Sequence, residues 1–276
     1  MRERWRFDPV HEGGRGTPLV LLHGMTSTWH GWNPLLPLLE SEHHVLAPTL
    51  PGHAGGPPFD GADGGQVEAL ASWVADWLTG RGLERPHIAG NSLGGWIALE
   101  LARRGRAQSV VALSPAGAWT TPADLHRLLR LFRSSYRLAR TGRWAVSPAL
   151  RHPRVRRAAL RMAMERGDLV AADDVRRSIR AVALCTAMPR ALSSPPPPLR
   201  AIELLDIPVL VAWGQHDRVL PFDRYGVPLL EQMPWADHVV LAGVGHVPMS
   251  DAPELVASTI LGVTRASERR APAAGA

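Results

Sequence analysis

Four short apolar runs punctuate the first half of the chain: Leu19-Val20-Leu21-Leu22, Val45-Leu46-Ala47, His87-Ile88-Ala89 and Val110-Val111-Ala112-Leu113. Runs that are apolar at successive positions, not at every second one, suit strands buried on both faces, as in a parallel sheet covered by helices. Helical patterns at roughly 33–40, 66–79 and 93–104 fall between them, each after a turn-rich stretch. This alternation is the βαβ rhythm of a doubly wound sheet. It resumes at Ile207–Trp213 and His238–Leu241, with further helices expected near 222–233 and 251–264.

Between these two halves the rhythm stops. Residues 117–200 carry helical patterns and no strand pattern; in 125–140, Leu128, Leu131, Phe132, Ser135 and Ala139 share one helical face while Arg127, Arg130, Arg133, Arg137 and Arg140 line the other. Four consecutive prolines, Pro195 to Pro198, cannot continue a helix and predict a stiff extended exit. The 276 residues therefore divide into an α/β core, 1–116 and 201–264, a helical cap, 117–200, and an Ala/Gly/Pro-rich end, 265–276, expected to be a mobile tail.

The charge is uneven. All 31 basic residues are arginine, and 120–200 holds 17 of them against 5 acidic residues. Arginines on the outer faces of cap helices, solvated and paired with an acidic core, account for this pattern; an anionic substrate, a carrier or an anionic membrane surface are the alternative partners. No reader motif or aromatic–basic interleaving points to nucleic acid. The opening residues hold no apolar run that could serve as a signal peptide, and nowhere do about 18 apolar residues stand together, so the chain is read as cytoplasmic with no stable membrane insertion. Cys185, the single cysteine, cannot form an internal disulfide and reads as a small buried residue. His43-His44 reads as a surface turn, and no metal is implied, because neither His-Glu-x-x-His nor Cys-x-x-Cys occurs.

Gly90-Asn91-Ser92-Leu93-Gly94 lies between a strand and a helix, the setting of a Gly-x-Ser-x-Gly elbow, in which a sharp turn exposes a serine hydroxyl. Such a hydroxyl needs a base, and the base needs an orienting group. His246, in Gly243-Val244-Gly245-His246, and Asp217, in Gly214-Gln215-His216-Asp217, each follow a strand and so reach the same sheet edge as Ser92. Ser92, Asp217 and His246 are the predicted catalytic residues. The amides of Met25, after His23-Gly24, and of Leu93 are the predicted oxyanion donors. The His23 side chain itself reads as structural.

With Leu-Leu-His23-Gly24 and Leu50-Pro51-Gly52-His53, these motifs resemble the α/β-hydrolase fold family over nearly the whole chain. The resemblance implies a doubly wound, mostly parallel sheet with a helical cap inserted after the sixth strand of the family's pattern. The family's first strands leave little trace before Thr17, and Pro48-Thr49 stands where many relatives have an aspartate two residues before Leu-Pro-Gly-His. Serine at the elbow resembles esterases, lactonases, carbon–carbon bond hydrolases of vinylogous diketones and cofactor-free perhydrolases; epoxide hydrolases and haloalkane dehalogenases have aspartate there. The expectation is a serine hydrolase that forms an acyl-enzyme with a small or medium carboxylic ester or lactone, without cofactor, with His53 and Trp119 lining the substrate site. A carbon–carbon bond hydrolase of vinylogous diketones, a cofactor-free perhydrolase, an acyltransferase and, from another class, a non-catalytic small-ligand receptor on the same fold are the rivals.

Overall fold

The computed structural model describes residues 7–59, 66–142 and 146–270. Seven strands form one sheet: β1 (Val10–Gly13), β2 (Thr17–Leu22), β3 (His43–Pro48), β4 (His87–Asn91), β5 (Ser109–Leu113), β6 (Val209–Gly214) and β7 (Asp237–Leu241). Their order is β1-β3-β2-β4-β5-β6-β7, with β1 antiparallel to β3 and every other pairing parallel. The order reverses between β2 and β4, so the chain winds outward in both directions from this pair. At such a switch point the loops after the strands diverge and leave a crevice at their carboxyl ends.

Both sheet faces are covered, as the continuous apolar runs require. Val20, Leu22, Ile88, Val110 and Ala112 pack on one side and Leu19, Leu21, Ala89, Val111 and Leu113 on the other, in two separate clusters. Helices α1 (Leu36–Leu39), α2 (Gln66–Thr79) and α3 (Leu93–Arg103) follow in the first half. The predicted helix at 33–40 shortens to four residues because Pro37 and the preceding 3-10 turn at Trp29–Trp32 occupy its start.

Between β5 and β6 lie α4 (Pro122–Arg140), α5 (Pro153–Leu160), α6 (Ala172–Leu184) and α7 (Ala187–Ser193), with no strand among the described residues. Thr121 caps α4 by accepting the Asp124 amide, and Pro122 starts it. Arg127 of this insertion reaches the core main chain, donating to the carbonyls of Val219 and Arg218, both at 2.8 Å. The insertion's acids are already taken: Asp168, Asp173 and Asp174 by Arg166, Arg176 and Arg177, and Asp124 and Glu165 by Arg224 and Arg218. Arg130, Arg133, Arg137, Arg154 and Arg157 are exposed and meet no carboxylate among the described residues.

After α8 (Val227–Gln232) and α9 (Pro248–Asp251), α10 (Pro253–Arg270) closes the second face. Residues 265–270, expected in the tail, are its last turns, held by an Arg265–Glu42 ion pair with Nε–Oε2 at 2.7 Å and by Ser267 donating to the Gln108 carbonyl at 2.9 Å. Residues 271–276 lie outside the described residues. His43, expected on a surface turn, is instead buried at the start of β3, bonded through Nδ1 to the Thr17 carbonyl and through Nε2 to Thr264 Oγ1 on α10, at 3.0 and 2.9 Å. Cys185 is buried, and burial pushes its thiol up to about 11, so it stays protonated and inert. No helix among the described residues is long and apolar enough to cross a membrane.

Candidate active site

Ser92 stands between β4 and α3 at φ 55° and ψ −113°, a backbone conformation a residue with a side chain adopts only under constraint. The constraint is a ring of main-chain bonds: the Ser92 amide donates to Leu113 O at 2.9 Å, and its carbonyl accepts from Trp96 and Ala116, both at 3.0 Å. Close packing completes it. A methyl group on Gly94 would stand 2.0 Å from the Leu22 carbonyl, so only glycine lets α3 begin against the end of β2. Similarly, a methyl on Gly24 would sit 3.3 Å from Ser92 Cβ, which brings the loop after β2 directly against the serine.

Asp217 and His246 arrive on the loops after β6 and β7. His246 Nδ1–H donates to Asp217 Oδ2 at 2.7 Å, with both side chains buried. Asp217 Oδ1 accepts the amides of Val219 and Leu220 at 2.9 and 2.7 Å. With one oxygen tied down by two amides, the other must face the imidazole, which leaves Nε2 of neutral His246 as the lone-pair nitrogen.

Two residues without a role in the sequence reading hold the His246 loop. Asn91 Nδ2 donates to the carbonyls of His246 and Leu113 at 2.9 and 3.2 Å. Asp251, also buried, accepts the Gly245 amide at 2.8 Å through Oδ2 and the Arg166 amide at 2.7 Å through Oδ1, joining this loop to the helical insertion. Asn91 occupies a variable position of the elbow motif, and Asp251 belongs to no motif, so neither carried a signal.

Ser92 borders an apolar cavity together with Met25, Leu93, Trp96 and Trp119. Leu125, Leu128, Leu129 and Phe132 of α4, with Met188, Ala191 and Leu192 of α7, form the wall contributed by the insertion. The indoles of Trp96 and Trp119 meet edge to face at 5.3 Å. Trp32 packs instead in the core on the opposite sheet face, Trp29 stacks on His30, and Trp144 lies outside the described residues.

His53 is not among the residues bordering this cavity. It is buried, donates from Nδ1 to the Pro51 carbonyl at 3.0 Å and meets His23 edge-on at 4.8 Å. Burial lowers its pKa to about 4. His23 links Gly24 O to the Leu50 amide, each at 2.9 Å, and burial, with His53 beside it, holds it well below the usual histidine range. Its neutral ring is a strut between the ends of β2 and β3. Among the described residues no group of three His, Cys, Asp or Glu side chains could hold a metal ion.

Residues 19–259 match the model of the alpha/beta hydrolase family. This chain belongs to that family. The hydrolase is 37% identical over 203 residues to the epoxide hydrolase EphH of Mycobacterium tuberculosis, covering 69% of this chain and 93% of that one. It is 26% identical over 271 residues to the pimeloyl-[acyl-carrier protein] methyl ester esterase of Aeromonas hydrophila, covering 89% and 94%. Its fold is similar to that of a thermophilic esterase from Thermogutta terrifontis, with a TM-score of 0.72, 22% identity and coverage of 94% and 93%.

Proposed function

We propose that this hydrolase acts through an acyl-enzyme on a small or medium carboxylic ester or lactone, with Ser92 as nucleophile, His246 as general base and Asp217 as its orienting carboxylate. The observation that carries the reading is the buried His246–Asp217 hydrogen bond on a loop that Asn91 ties to the serine turn. Ser92 Oγ attacks the carbonyl carbon as His246 Nε2 takes its proton; the imidazolium, stabilised by Asp217, returns that proton to the departing alkoxide. Water then attacks the acyl-enzyme with the same help and releases the acid. The amides of Met25 and Leu93, residues that border the cavity together with Ser92, serve the oxyanion. The helical insertion acts as a cap whose apolar wall takes the substrate and limits water. The cycle needs no cofactor.

The relative named as an epoxide hydrolase raises the other chemistry open to the family. A carboxylate that opens an epoxide forms an ester, which water can release. A serine alkoxide would form an ether, which has no carbonyl for water to attack. Ser92 at the elbow therefore supports acyl transfer to water over epoxide opening.

The test is intact-protein mass after exposure to a fluorophosphonate, wild type beside Ser92→Ala, with turnover of p-nitrophenyl butyrate and of styrene oxide followed in parallel. The expected result is one adduct and ester turnover, both lost in the variant, with no diol formed. Diol formation without an adduct, or ligand binding with neither adduct nor turnover, would overturn the reading in favour of epoxide chemistry or a receptor.

A further inference from the structure

The outer face of α4 carries a row of arginines. Arg130, Arg133 and Arg137 stand at i, i+3 and i+7, so they share one side of the helix over about 10 Å. All three are exposed, and none meets a carboxylate among the described residues. Like charges three and four residues apart repel and weaken a helix, and exposed sites are served as well by glutamine or glutamate, so the stability of α4 does not call for this row. No acid of the insertion is left to offset it, since each of the five pairs with an arginine elsewhere. The charge is also divided unevenly between insertion and core: residues 120–200 hold 17 arginines and 5 acids, against 14 arginines and 20 acids in the rest of the chain.

From this we infer that the outer face of α4 docks on an anionic lipid surface, with Arg130, Arg133 and Arg137 binding lipid phosphates and Leu138 entering the headgroup layer. A guanidinium donates two parallel N–H bonds to a phosphate, which suits arginine in particular and not positive charge alone. Lipid fits the neighbouring side chains better than an acidic protein does. Among the described residues of the insertion four aliphatic side chains are exposed, Leu138 by 50%, Val146 by 77%, Leu169 by 60% and Leu184 by 52%, and Leu138 follows Arg137 directly. A headgroup layer takes arginines and apolar side chains together, whereas an acidic protein surface leaves the apolar ones unmatched. The acidic core is repelled by the same lipid, so the field turns the insertion toward the surface. On its inner face the same helix walls the apolar cavity beside Ser92 with Leu125, Leu128, Leu129 and Phe132. Docking therefore sets that cavity one helix away from a reservoir of apolar molecules. None of this depends on the acyl-enzyme reading above.

The experiment is co-sedimentation of the full chain, carrying Ser92→Ala so that no lipid is consumed, with vesicles of phosphatidylcholine alone or with about one-third phosphatidylglycerol at about 0.1 M salt. The protein should sediment with the anionic vesicles and not with the neutral ones, and about 0.5 M salt should release it. Adding Arg130→Gln, Arg133→Gln and Arg137→Gln together should weaken binding about a hundredfold, roughly fivefold for each arginine removed. Arg15→Gln, Arg269→Gln and Arg270→Gln together take the same charge from exposed residues of the core and should weaken it less than about threefold, because charges beyond a screening length of the surface contribute little. Orientation is read separately. Cys185 is buried and inert, so Leu138→Cys provides one labelling site, and an environment-sensitive dye there should shift to the blue on anionic vesicles.

No binding to the anionic vesicles overturns the inference; retention of the parent protein, but not of the α4 variant, on an immobilised acidic carrier protein would then assign this face to a protein partner. Equal binding to neutral vesicles overturns it too, as does an equal loss in the two triple variants, which would mean that net charge and not α4 holds the protein. Thermal melts show whether the α4 variant is folded. If it is not, the dye decides, and an unshifted label on vesicle-bound protein rejects this face as the one that docks.

Discussion

Asn91 donates its side-chain amide to the carbonyl of His246, 155 residues away, at 2.9 Å. The residue before the nucleophile thus positions the main chain of the base. Removing the amide leaves two buried carbonyls, those of His246 and Leu113, with one fewer donor each. Asn91→Ala is expected to destabilise the fold by about 2 kcal/mol and to lower kcat more than it raises KM, since the imidazole loses its register and the substrate wall does not. Thermal melts and steady-state kinetics check both. A loss confined to KM would show that Asn91 shapes the pocket and not the base.

Asp217→Asn tests the orientation of the imidazole. The amides of Val219 and Leu220 hold one side-chain oxygen, so an asparagine there keeps its oxygen on them and turns its NH2 toward His246. That forces the proton onto Nε2, where it cannot accept one from Ser92. Ester kcat is expected to fall by about 10⁴-fold, with fluorophosphonate labelling slowed in parallel and the fold retained. Labelling at the wild-type rate would separate Asp217 from activation of the serine.

Much of this architecture was legible because strand burial writes itself as unbroken apolar runs. Six of the seven strands were placed by that signal, β7 among them although four of its five residues are exposed, and the glycine-flanked motifs after three of them located the elbow and the loops of Asp217 and His246. β1 escaped it: Val10–Gly13 is an edge strand, half-buried, with a charged Glu12, and pairs antiparallel through its main chain. His43 escaped because its partner on α10, Thr264, is 221 residues distant, and polar residues next to one another read as surface until that contact is known. The tail was set six residues too early for a related reason, since its charged residues bind groups on the core and not solvent alone. Asp251 lay beyond reach because its task is to accept amides from two loops that only the fold brings together.

Two glycines predict opposite outcomes for the same substitution. At Gly94 the added methyl would lie 2.0 Å from the Leu22 carbonyl, a main-chain atom of a central strand that cannot move aside. Gly94→Ala is expected to cost about 3 kcal/mol or more and to separate α3 from β2. Gly262, in the middle of α10, is exposed and has nothing within 4 Å of the new methyl. Gly262→Ala should stabilise by about 1 kcal/mol, through helix propensity alone. Denaturant unfolding of the pair decides it, and a stable Gly94→Ala protein would mean the elbow is looser than its contacts imply.

The buried histidines set the acid limit of the fold. Burial keeps His23 well below the usual range and holds His53 and His87 at about 4, against 6.5 in an unfolded chain. A histidine whose pKa is lowered by folding binds its proton more readily when unfolded. Its contribution is therefore complete above pH 6.5 and is lost as pH falls from 6.5 toward 4. Each such group contributes up to about 1.4 kcal/mol per pH unit in that window. Melting temperature is expected to stay level from pH 8 to 7 and to fall steadily from pH 6.5 to 5, before most carboxylates begin to titrate. His53→Gln should flatten part of that slope by removing one proton from the uptake on unfolding. Melts that do not change between pH 7 and 5 would mean that these imidazoles reach water in the native state, and the strut that His23 forms between β2 and β3 would then not be the closed contact it forms here.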